Sequence, residues 1–302
     1  LLATAIALGL SGVVGLLLSG AISQPLRRLT MAAGAVAEGE LDLQVPVGTE
    51  DELGRLSQAF NKMVARLWAA RQMQVDFVAN VSHELRTPLT AIKGLVETLR
   101  DGAVNDTEVS ERFLETVEDE TDRLIRLVND LLILSRVDSE ALNLRREPVD
   151  LGALVAVTVD RLAPWASEQD ITLQVDVGSG VPLAYADRDR MEQVLVNLLD
   201  NAIKFSRPGG TVTIRVAEAP GPAVRVQVRD EGVGIPEEAL PHIGERFYRA
   251  DRARSRAAGG SGLGIAIARG LVEAHGGSLS VESEEGQGTV VEFAIPAEEG
   301  SR

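Results

Sequence analysis

The chain opens with an apolar run that contains no charged side chain from residue 1 to residue 24. A helix that crosses a bilayer needs about 20 such residues, whereas a secretory signal has a shorter apolar region and a basic leader. We therefore expect a transmembrane helix over residues 1–23, with a signal peptide as the alternative. Arg27 and Arg28 follow, so the positive-inside rule places the rest of the chain in the cytoplasm. The first residue is not methionine, which indicates a piece of a longer chain.

Residues 24–71 show two helical patterns with an extended stretch between them. In the second, apolar residues recur at alternating steps of three and four, a heptad spacing typical of parallel helices that pack in a dimer. The apolar positions are Leu26, Leu29, Ala33 and Val36 in the first helix, and Leu53, Leu56, Phe60, Met63 and Leu67 in the second. The pattern predicts a helix, a connector and a helix, although one heptad run also fits an ordinary surface helix.

Residues 72–146 have the spacing of a helical hairpin. A helix is predicted from about Gln72 to Arg100, followed by a turn in which Asp106 or Thr107 caps a second helix. The second helix keeps coiled-coil spacing through Val109, Phe113, Val117, Leu124, Val128 and Leu131. This stripe is too wide for one hairpin to bury, so we predict a homodimer in which two chains form a four-helix bundle.

The first helix of the hairpin contains a histidine close to a helix breaker. His83 lies two positions from both Val81 and Leu85, so it points away from the apolar face. Pro88 lacks the N–H that would bond to the Glu84 carbonyl, which should loosen the helix beside the imidazole. Histidine is common both as a surface residue and as a reactive group, so this stretch by itself leaves both interpretations open.

Beyond residue 147 the pattern changes to alternating strands and helices. Strand patterns occur at 171–177, 211–219, 223–230 and 289–296, and helical patterns occur at 189–206 and 262–277. The mixture predicts an α/β sandwich over residues 147–302, with a sheet on one side and helices on the other. The expected fold class is therefore multi-domain.

Composition narrows the function. The 302 residues include 45% apolar side chains, which excludes wholesale disorder. The net charge of −15 is the wrong sign for a nucleic-acid-binding protein. The chain contains no cysteine, so disulfides, thiolate catalysis and cysteine metal sites are excluded. A protein partner or a metal-complexed small anion is more plausible as the ligand.

Two asparagines occupy one face of a predicted helix in "NLLDNAIKF". Asn197 and Asn201 are four residues apart, and Lys204 follows three residues later on the same face. Asparagine is a poor helix former, so the pair needs a reason. Amides that bond locally are one explanation. The other is a set of oxygen donors for Mg²⁺, which completes its shell with water and phosphate, with Lys204 near the phosphates.

Glycine-rich segments follow in two places. In "VQVRDEGVGIP", Asp230 stands at a strand end before Gly232 and Gly234. Such a carboxylate can accept from an exocyclic amine, and glycines let a flat base approach the backbone. In "GGSGLGIAIARG", a helix begins among three glycines whose N–H groups suit a phosphate, namely Gly260, Gly262 and Gly264. This segment is neither a Walker A loop nor a dinucleotide fingerprint.

In this order the segments resemble the boxes of sensor histidine kinases of bacterial two-component systems. "SHELRTPL" resembles the H box, "NLLDNAIKF" the N box, "DEGVGIP" the G1 box, "ERFYR" the F box, "GGSGLGIA" the G2 box and "GQGTVVEF" the final glycine motif. Residues 25–67 resemble a HAMP module. The resemblance covers nearly the whole chain, and it implies an ATP-binding domain of the Bergerat type behind a dimeric phosphoacceptor hairpin.

The resemblance also implies roles for the hairpin residues. His83 would accept the phosphoryl group, and Glu84 would be the base that takes its ring proton. Thr87 matches the polar residue with which such kinases position water when they dephosphorylate their partner. That partner would be the receiver domain of a response regulator, which takes the phosphoryl group on an aspartate.

In the second half, the resemblance implies an ATP and Mg²⁺ site. Asn201 would be the Mg²⁺ ligand with support from Asn197, Lys204 would contact phosphate, and Asp230 would bind the adenine amino group. Residues 237–259 would form the ATP lid, anchored by Phe247. One position departs from the family, because Gly244 stands where an aromatic residue is usual. The resemblance therefore does not define how the lid packs.

Three other classes of protein share part of this pattern. A zinc peptidase is excluded because Thr87 stands where H-E-x-x-H needs its second histidine. A gyrase-like or serine-kinase relative would share the asparagine and glycine boxes but would not need the histidine hairpin. A degenerate kinase that acts as a scaffold or only as a phosphatase is the remaining alternative, and it is disfavoured because the chemical positions are all present.

Overall fold

The computed structural model describes residues 2–18, 22–48, 51–139, 142–250 and 260–298. The chain divides into two compact units, Leu1–Ser82 and His83–Arg302. The first unit is helical, and the second combines a helical hairpin with an α/β domain.

The first unit contains helix α1 (Leu2–Leu18), helix α2 (Gln24–Ala37) and the beginning of helix α3 (Glu52–Arg100). Among the described residues, no helix combines the length and the apolar character needed to cross a membrane. The transmembrane helix predicted over residues 1–23 is therefore not confirmed. Part of that prediction, residues 1 and 19–21, lies outside the described residues.

A side-chain amide fixes the connector between α2 and α3. The Oδ1 atom of Asn61 accepts from the N–H of Val45 at 2.9 Å, and its Nδ2 atom donates to the Val45 carbonyl at 2.8 Å. Val45 is buried, as are Leu29 of α2 and Val64 of α3. The predicted order of helix, connector and helix is confirmed.

Helix α3 runs without interruption for 49 residues. It contains both the heptad run that ends at Leu67 and the predicted first helix of the hairpin, so the boundary expected between residues 71 and 72 falls inside one helix. Pro88 is buried within α3, and the helix continues through it. Proline has no N–H, so α3 lacks one hydrogen bond beside His83, and the expected loosening of the helix goes no further than this.

Helix α4 (Thr107–Asp138) completes the hairpin. The turn contains Gly102, with φ of 124°, and a 3₁₀ turn at Ala103–Asn105. Of the two predicted caps, Asp106 is the one observed, because its carboxylate accepts from the N–H of Val109 at 3.2 Å. An N-cap of this kind satisfies one of the free amides at the start of a helix.

The hairpin buries only part of its apolar surface. Leu127 and Leu134 of α4 belong to the hydrophobic core of the second unit. Large apolar side chains of the hairpin that remain exposed include Leu89, Val96, Leu114, Ile125, Val128 and Leu132. The four-helix bundle of two chains stays a prediction.

The α/β domain follows the hairpin. Its elements are β1 (Glu147–Val149), α5 (Leu151–Glu168), β2 (Thr172–Val177), β3 (Ala184–Ala186), α6 (Arg188–Phe205), β4 (Thr211–Ala219), β5 (Ala223–Asp230), α7 (Gly264–Ala274), β6 (Ser278–Glu284) and β7 (Gly288–Pro296). Five strands form one sheet in the order β2-β4-β5-β7-β6, in which β2 is parallel to β4 and the other neighbours are antiparallel. The strands β1 and β3 form a separate antiparallel pair.

The core lies between this sheet and helices α5, α6 and α7. Every second residue is buried throughout β5 and in β4 as far as Val216, and Ile214 pairs with Val228 while Val216 pairs with Val226. Leu199 of α6 belongs to the same core. The predicted α/β sandwich is confirmed, whereas β1, β3, β6 and α5 were not identified from the sequence.

A buried histidine joins the end of α7 to the start of α6. The Nδ1 atom of His275 lies 2.7 Å from the Leu271 carbonyl, and its Nε2 atom accepts from the N–H of Asp187 at 3.0 Å. This arrangement requires the neutral imidazole, and burial lowers the pKa of His275. The Asp187 carboxylate accepts in turn from the N–H groups of Arg145 and Arg190. Asp187 therefore joins the segment before β1, through Arg145, to the start of α6 and, through His275, to the end of α7.

Candidate functional site

A cleft of about 1290 Å³ lies within the second unit, between the helical hairpin and the α/β domain. Its walls come from α3 and α4 on one side and from α6, β5, β7 and the start of α7 on the other. Nine of the residues predicted from the sequence line it: Glu84, Asn197, Asn201, Lys204, Asp230, Gly234, Gly260, Gly262 and Gly264. The structure thus brings together groups from sequence segments that are far apart.

The two asparagines of α6 face the N-terminus of α7. A methyl group placed on Gly264 would lie 3.3 Å from Nδ2 of Asn201 and 3.8 Å from Cβ of Asn197, so α7 begins in contact with both side chains. The Nδ2 atom of Asn197 is buried, and it has no hydrogen-bond partner among the described residues. An unpaired buried donor is costly, which favours a polar occupant of the cleft over amides that only bond locally.

Lys204 has a protein partner. Its Nζ atom donates to Oδ2 of Asp200 at 2.7 Å, one helical turn earlier on α6. Sequence reasoning placed this ammonium near phosphates and did not anticipate the carboxylate. Both side chains are partly exposed and line the cleft, so the ammonium remains at its edge.

Asp230 ends β5 and is 7% exposed. Its Oδ1 atom accepts two backbone hydrogen bonds, from Gly232 at 2.8 Å and from Thr289 at 3.2 Å. Burial raises the pKa of the Asp230 carboxyl, and the two N–H groups oppose that change. Both bonds use the same oxygen, so the carboxylate is held rigidly while Oδ2 takes no part in them.

The glycines after Asp230 are required by close backbone contacts. A methyl group on Gly232 would lie 2.3 Å from the Phe205 carbonyl oxygen, at the end of α6. A methyl group on Gly234, which has φ of 68°, would lie 2.0 Å from the Glu284 carbonyl oxygen. Neither position has room for a side chain. Sequence reasoning assigned both glycines to the approach of a base, and the structure adds this tight packing against the ends of α6 and β6.

The segment with Phe247 is joined to the second glycine-rich segment. Phe247 has a positive φ of 62°, and its N–H donates to the Gly262 carbonyl at 3.0 Å. Gly262 itself has φ of 72°. The guanidinium of Arg249 donates to the Gly260 carbonyl. Of the predicted lid, residues 251–259 lie outside the described residues.

The three hairpin residues lie at and beside the cleft. His83 is exposed on α3, and the adjacent Glu84 lines the cleft. The Oε2 atom of Glu84 lies 3.3 Å from Nη2 of Arg249 and 3.9 Å from Nη2 of Arg123. The Thr87 hydroxyl donates to the His83 carbonyl at 3.2 Å, so it is engaged with the backbone of the histidine.

Sequence reasoning missed several residues of this site. Arg123 belongs to no quoted motif, and Arg249 ends the "ERFYR" box, in which only Phe247 was given a role. Asp130 of α4 also lines the cleft, and burial raises the pKa of its carboxyl to about 6, helped by Asp200 and opposed by Arg126. The sequence did not identify Asp130, because a polar residue between the apolar positions of a helix is ordinary.

Three family profiles match successive parts of the chain. The HAMP domain profile matches residues 17–69, and the profile of the His Kinase A (phospho-acceptor) domain matches residues 73–140. The profile described as histidine kinase-, DNA gyrase B-, and HSP90-like ATPase matches residues 186–299. Their order along the chain is the order predicted from the boxes.

The chain is 41% identical over 229 residues to the sensor histidine kinase WalK of Bacillus subtilis (strain 168). The match covers 76% of this chain and 37% of that protein, so the chain spans little more than a third of the length of this relative. It is also similar to full-length ShkA in complex with AMPPNP, at 33% identity and a TM-score of 0.58, over 75% of this chain and 47% of that one.

A further similar structure is that of the histidine kinase ThkA in complex with the response regulator protein TrrA. It has 25% identity and a TM-score of 0.60, over 78% of this chain and 65% of that one. The profiles, the curated relative and the solved structures agree with one another and with the sequence boxes. The chain therefore belongs to the sensor histidine kinases of two-component systems.

Proposed function

We propose that this protein is an ATP-dependent kinase that phosphorylates its own His83 and passes the phosphoryl group to an aspartate of a response regulator. The observation that carries the proposal is that Glu84, next to His83, lines the same cleft as Asn201 and Asp230. The phosphoacceptor region and the predicted nucleotide groups therefore meet at one cavity. The similar ShkA structure is a complex with AMPPNP, which supports ATP as the occupant.

The phosphoryl transfer requires few changes in bonding. A ring nitrogen of His83 attacks the γ-phosphorus of ATP, the bond to the β–γ bridging oxygen breaks, and ADP leaves. The other ring nitrogen carries the proton of the neutral imidazole, and this proton passes to the Glu84 carboxylate, which acts as the base. Glu84 is paired with Arg123 and Arg249 in this structure, so its release from at least one arginine accompanies the reaction.

The donor set of the cleft fits a magnesium ion bound together with nucleotide. Asn201 would supply an oxygen ligand and Asn197 would support it, while water and phosphate oxygens would complete the shell. The ion would neutralise charge on the phosphates. Lys204 would contact phosphate, and its bond to Asp200 keeps the ammonium at the cleft until an anion competes for it.

Asp230 would bind the adenine base. Its Oδ1 atom is held by Gly232 and Thr289, and its Oδ2 atom would accept from the exocyclic amine. Gly234, Gly260, Gly262 and Gly264 would let the nucleotide approach the backbone, and Phe247 would anchor the lid that covers it. These roles follow from the positions of the residues at or beside the cleft together with the family resemblance.

Thr87 would act in the reverse step, the removal of phosphate from the regulator. It is four residues after His83 and on the same face of α3, and its hydroxyl would orient water at a phosphoryl group. The ThkA structure contains a response regulator protein, which supports a receiver domain as the partner. We further propose a homodimer through the exposed hairpin stripe and an attachment to the inner membrane through residues 1–23, with the kinase part in the cytoplasm.

The test is ATP-dependent labelling of the purified protein. Incubation with MgATP that carries a labelled γ-phosphate should place acid-labile phosphate on His83, located by mass spectrometry. His83→Gln should abolish the label and leave MgATP affinity nearly intact. Label that persists in His83→Gln would exclude His83 as the acceptor, and an unlabelled native protein that still binds MgATP would favour the degenerate scaffold.

A further inference from the structure

The loop before Phe247 contains a glycine in an unusual conformation. Gly244 has φ of 102°, a region that residues with a side chain rarely adopt. The family resemblance predicts an aromatic residue at this position. Gly244 lines the cleft, as do its neighbours Ile243 and Glu245. A side chain at this position would therefore strain the backbone.

The guanidinium of Arg269 occupies the place beside Gly244 where a side chain would begin. A methyl group on Gly244 would lie 2.6 Å from Nη1, 2.7 Å from Cζ and 2.9 Å from Nη2 of Arg269. The same Nη2 atom donates to the Ile243 carbonyl at 3.0 Å. The planar guanidinium thus lies against the backbone of Gly244, and its hydrogen bond holds the carbonyl of Ile243.

This contact connects two walls of the cleft. Arg269 belongs to α7, whose first residue, Gly264, packs against Asn201. The loop also reaches the glycine-rich segment through the bond between Phe247 N–H and the Gly262 carbonyl. Two attachments, one at each end of residues 243–247, therefore hold the loop to the segment that begins α7.

We propose that Arg269 is a positioning residue for the nucleotide site, which holds residues 243–247 against α7 through its contacts with Gly244 and the Ile243 carbonyl. The inference rests on the proposed function only in naming a nucleotide as the occupant. The chemistry suits the task, because a guanidinium offers several donors in a fixed plane and packs closely on a flat peptide surface. Holding the loop in advance lowers the ordering cost that nucleotide binding would otherwise incur.

The first experiment compares three arginine variants of the full chain. Arg269→Met keeps the aliphatic stem and removes the guanidinium, and Arg269→Lys keeps the charge but loses the planar fork. Arg225→Met is the matched control, because Arg225 of β5 is paired with Glu292 at 3.3 Å and does not belong to the residues that line the cleft. All three are measured for amide hydrogen exchange and for MgATP affinity.

In Arg269→Met we expect exchange at the amides of residues 243–248 to rise about tenfold or more, since a bond from a charged donor is lost. MgATP affinity should fall by about three- to tenfold because the loop must order on binding. Arg269→Lys should recover part of both effects, and Arg225→Met should change neither. Exchange in α6 should be the same in every variant, which separates positioning from general destabilisation.

A second experiment tests the steric half of the contact. Gly244→Ala should loosen the loop both through backbone strain and through displacement of the guanidinium. The strain is common to both backgrounds, so it cancels in a double-mutant cycle with Arg269→Met. We expect Gly244→Ala to raise loop exchange less in the Arg269→Met background than in the native one.

The outcomes distinguish the inference from the function on which it rests. Loop exchange in Arg269→Met equal to that in Arg225→Met, or additive effects in the cycle, would overturn the role of Arg269. A native chain that binds no MgATP would contradict the proposed function, and the role in nucleotide positioning would then be overturned as well. Increased loop exchange together with weaker MgATP binding, and partial recovery in Arg269→Lys, would support it.

Discussion

Glu84 and Arg249 are separated by 165 residues in the chain, and they form an ion pair in which Nη2 of the arginine lies 3.3 Å from Oε2 of the glutamate. The arginine side chain is only 8% exposed. A second arginine, Arg123 of α4, lies 3.9 Å from the same oxygen. The carboxylate beside the proposed phosphoacceptor is therefore held by one residue of the hairpin and one of the α/β domain.

The first prediction concerns the contribution of this ion pair to the free energy of unfolding. Arg249→Met removes one partner of a largely buried pair, so we expect the free energy of unfolding to fall by about 1–3 kcal/mol. Arg246 reaches Asp138 of the hairpin from the same segment, but that pair is more exposed, so Arg246→Met should cost less than about 1 kcal/mol. Urea unfolding of both variants checks this. Equal losses would mean that burial does not set the strength of these contacts.

The second prediction concerns the buried carboxylate of the cleft. Asp230→Asn keeps an oxygen that accepts from Gly232 and Thr289, but the amide nitrogen cannot accept from an adenine amine. MgATP affinity should fall by up to about 100-fold, while stability is kept because a buried charge is removed. Isothermal titration calorimetry measures the affinity, with Asp176→Asn on the exposed face of β2 as control. An unchanged titration would remove Asp230 from the site.

The third prediction follows from the continuity of α3. One residue inserted between Leu67 and His83 rotates the helix after the insertion by about 100° relative to the helix before it. Phosphorylation of His83 should then stay at a fixed level that no longer varies with the signal transmitted along α3. Seven inserted residues restore the heptad phase and should have a much milder effect. Similar labelling of His83 in both variants would argue that α3 transmits no register.

Local patterns predicted much of the fold. The alternation in β4 and β5 placed both strands with their observed ends, because one face of each strand is buried and the other is not. Asp106 was one of two expected caps, since a carboxylate before a helix satisfies a free amide. The strands β1 and β3 have only three residues each, too few for a period to appear.

What the sequence could not provide were contacts between distant segments. The pairing of Glu84 with Arg249 and the packing of Arg269 on Gly244 depend on how hairpin, loop and α7 meet, and no spacing encodes this. The bond from Lys204 to Asp200 is local, yet it was missed because the motif directed attention to phosphate. Pro88 was expected to loosen α3, but tertiary packing buries it and the helix continues.

The last prediction concerns the pH dependence of stability. His275 is neutral in the fold, because its Nε2 atom accepts from the Asp187 N–H and a proton there would break this bond. Burial is the main cause that lowers the pKa of His275, Arg146 lowers it further, and the bond to Leu271 and the charge of Asp187 oppose the change. The unfolded chain therefore binds a proton at a higher pH than the folded chain does. Stability from this residue is present above about pH 6.5 and is lost as the pH falls below it.

Asp130 has the opposite sign, and the experiment must separate the two. Its pKa of about 6 lies above the usual value for aspartate, so protonation below pH 6 favours the folded state. We therefore compare the native chain with His275→Gln by urea unfolding at several pH values from about 7.5 to 5, since the Asp130 contribution is common to both and cancels. The stability advantage of the native chain should shrink as the pH falls. His242→Gln, at an exposed position, is the control for loss of an imidazole. Parallel curves for the native chain and His275→Gln would show that His275 does not couple protonation to folding.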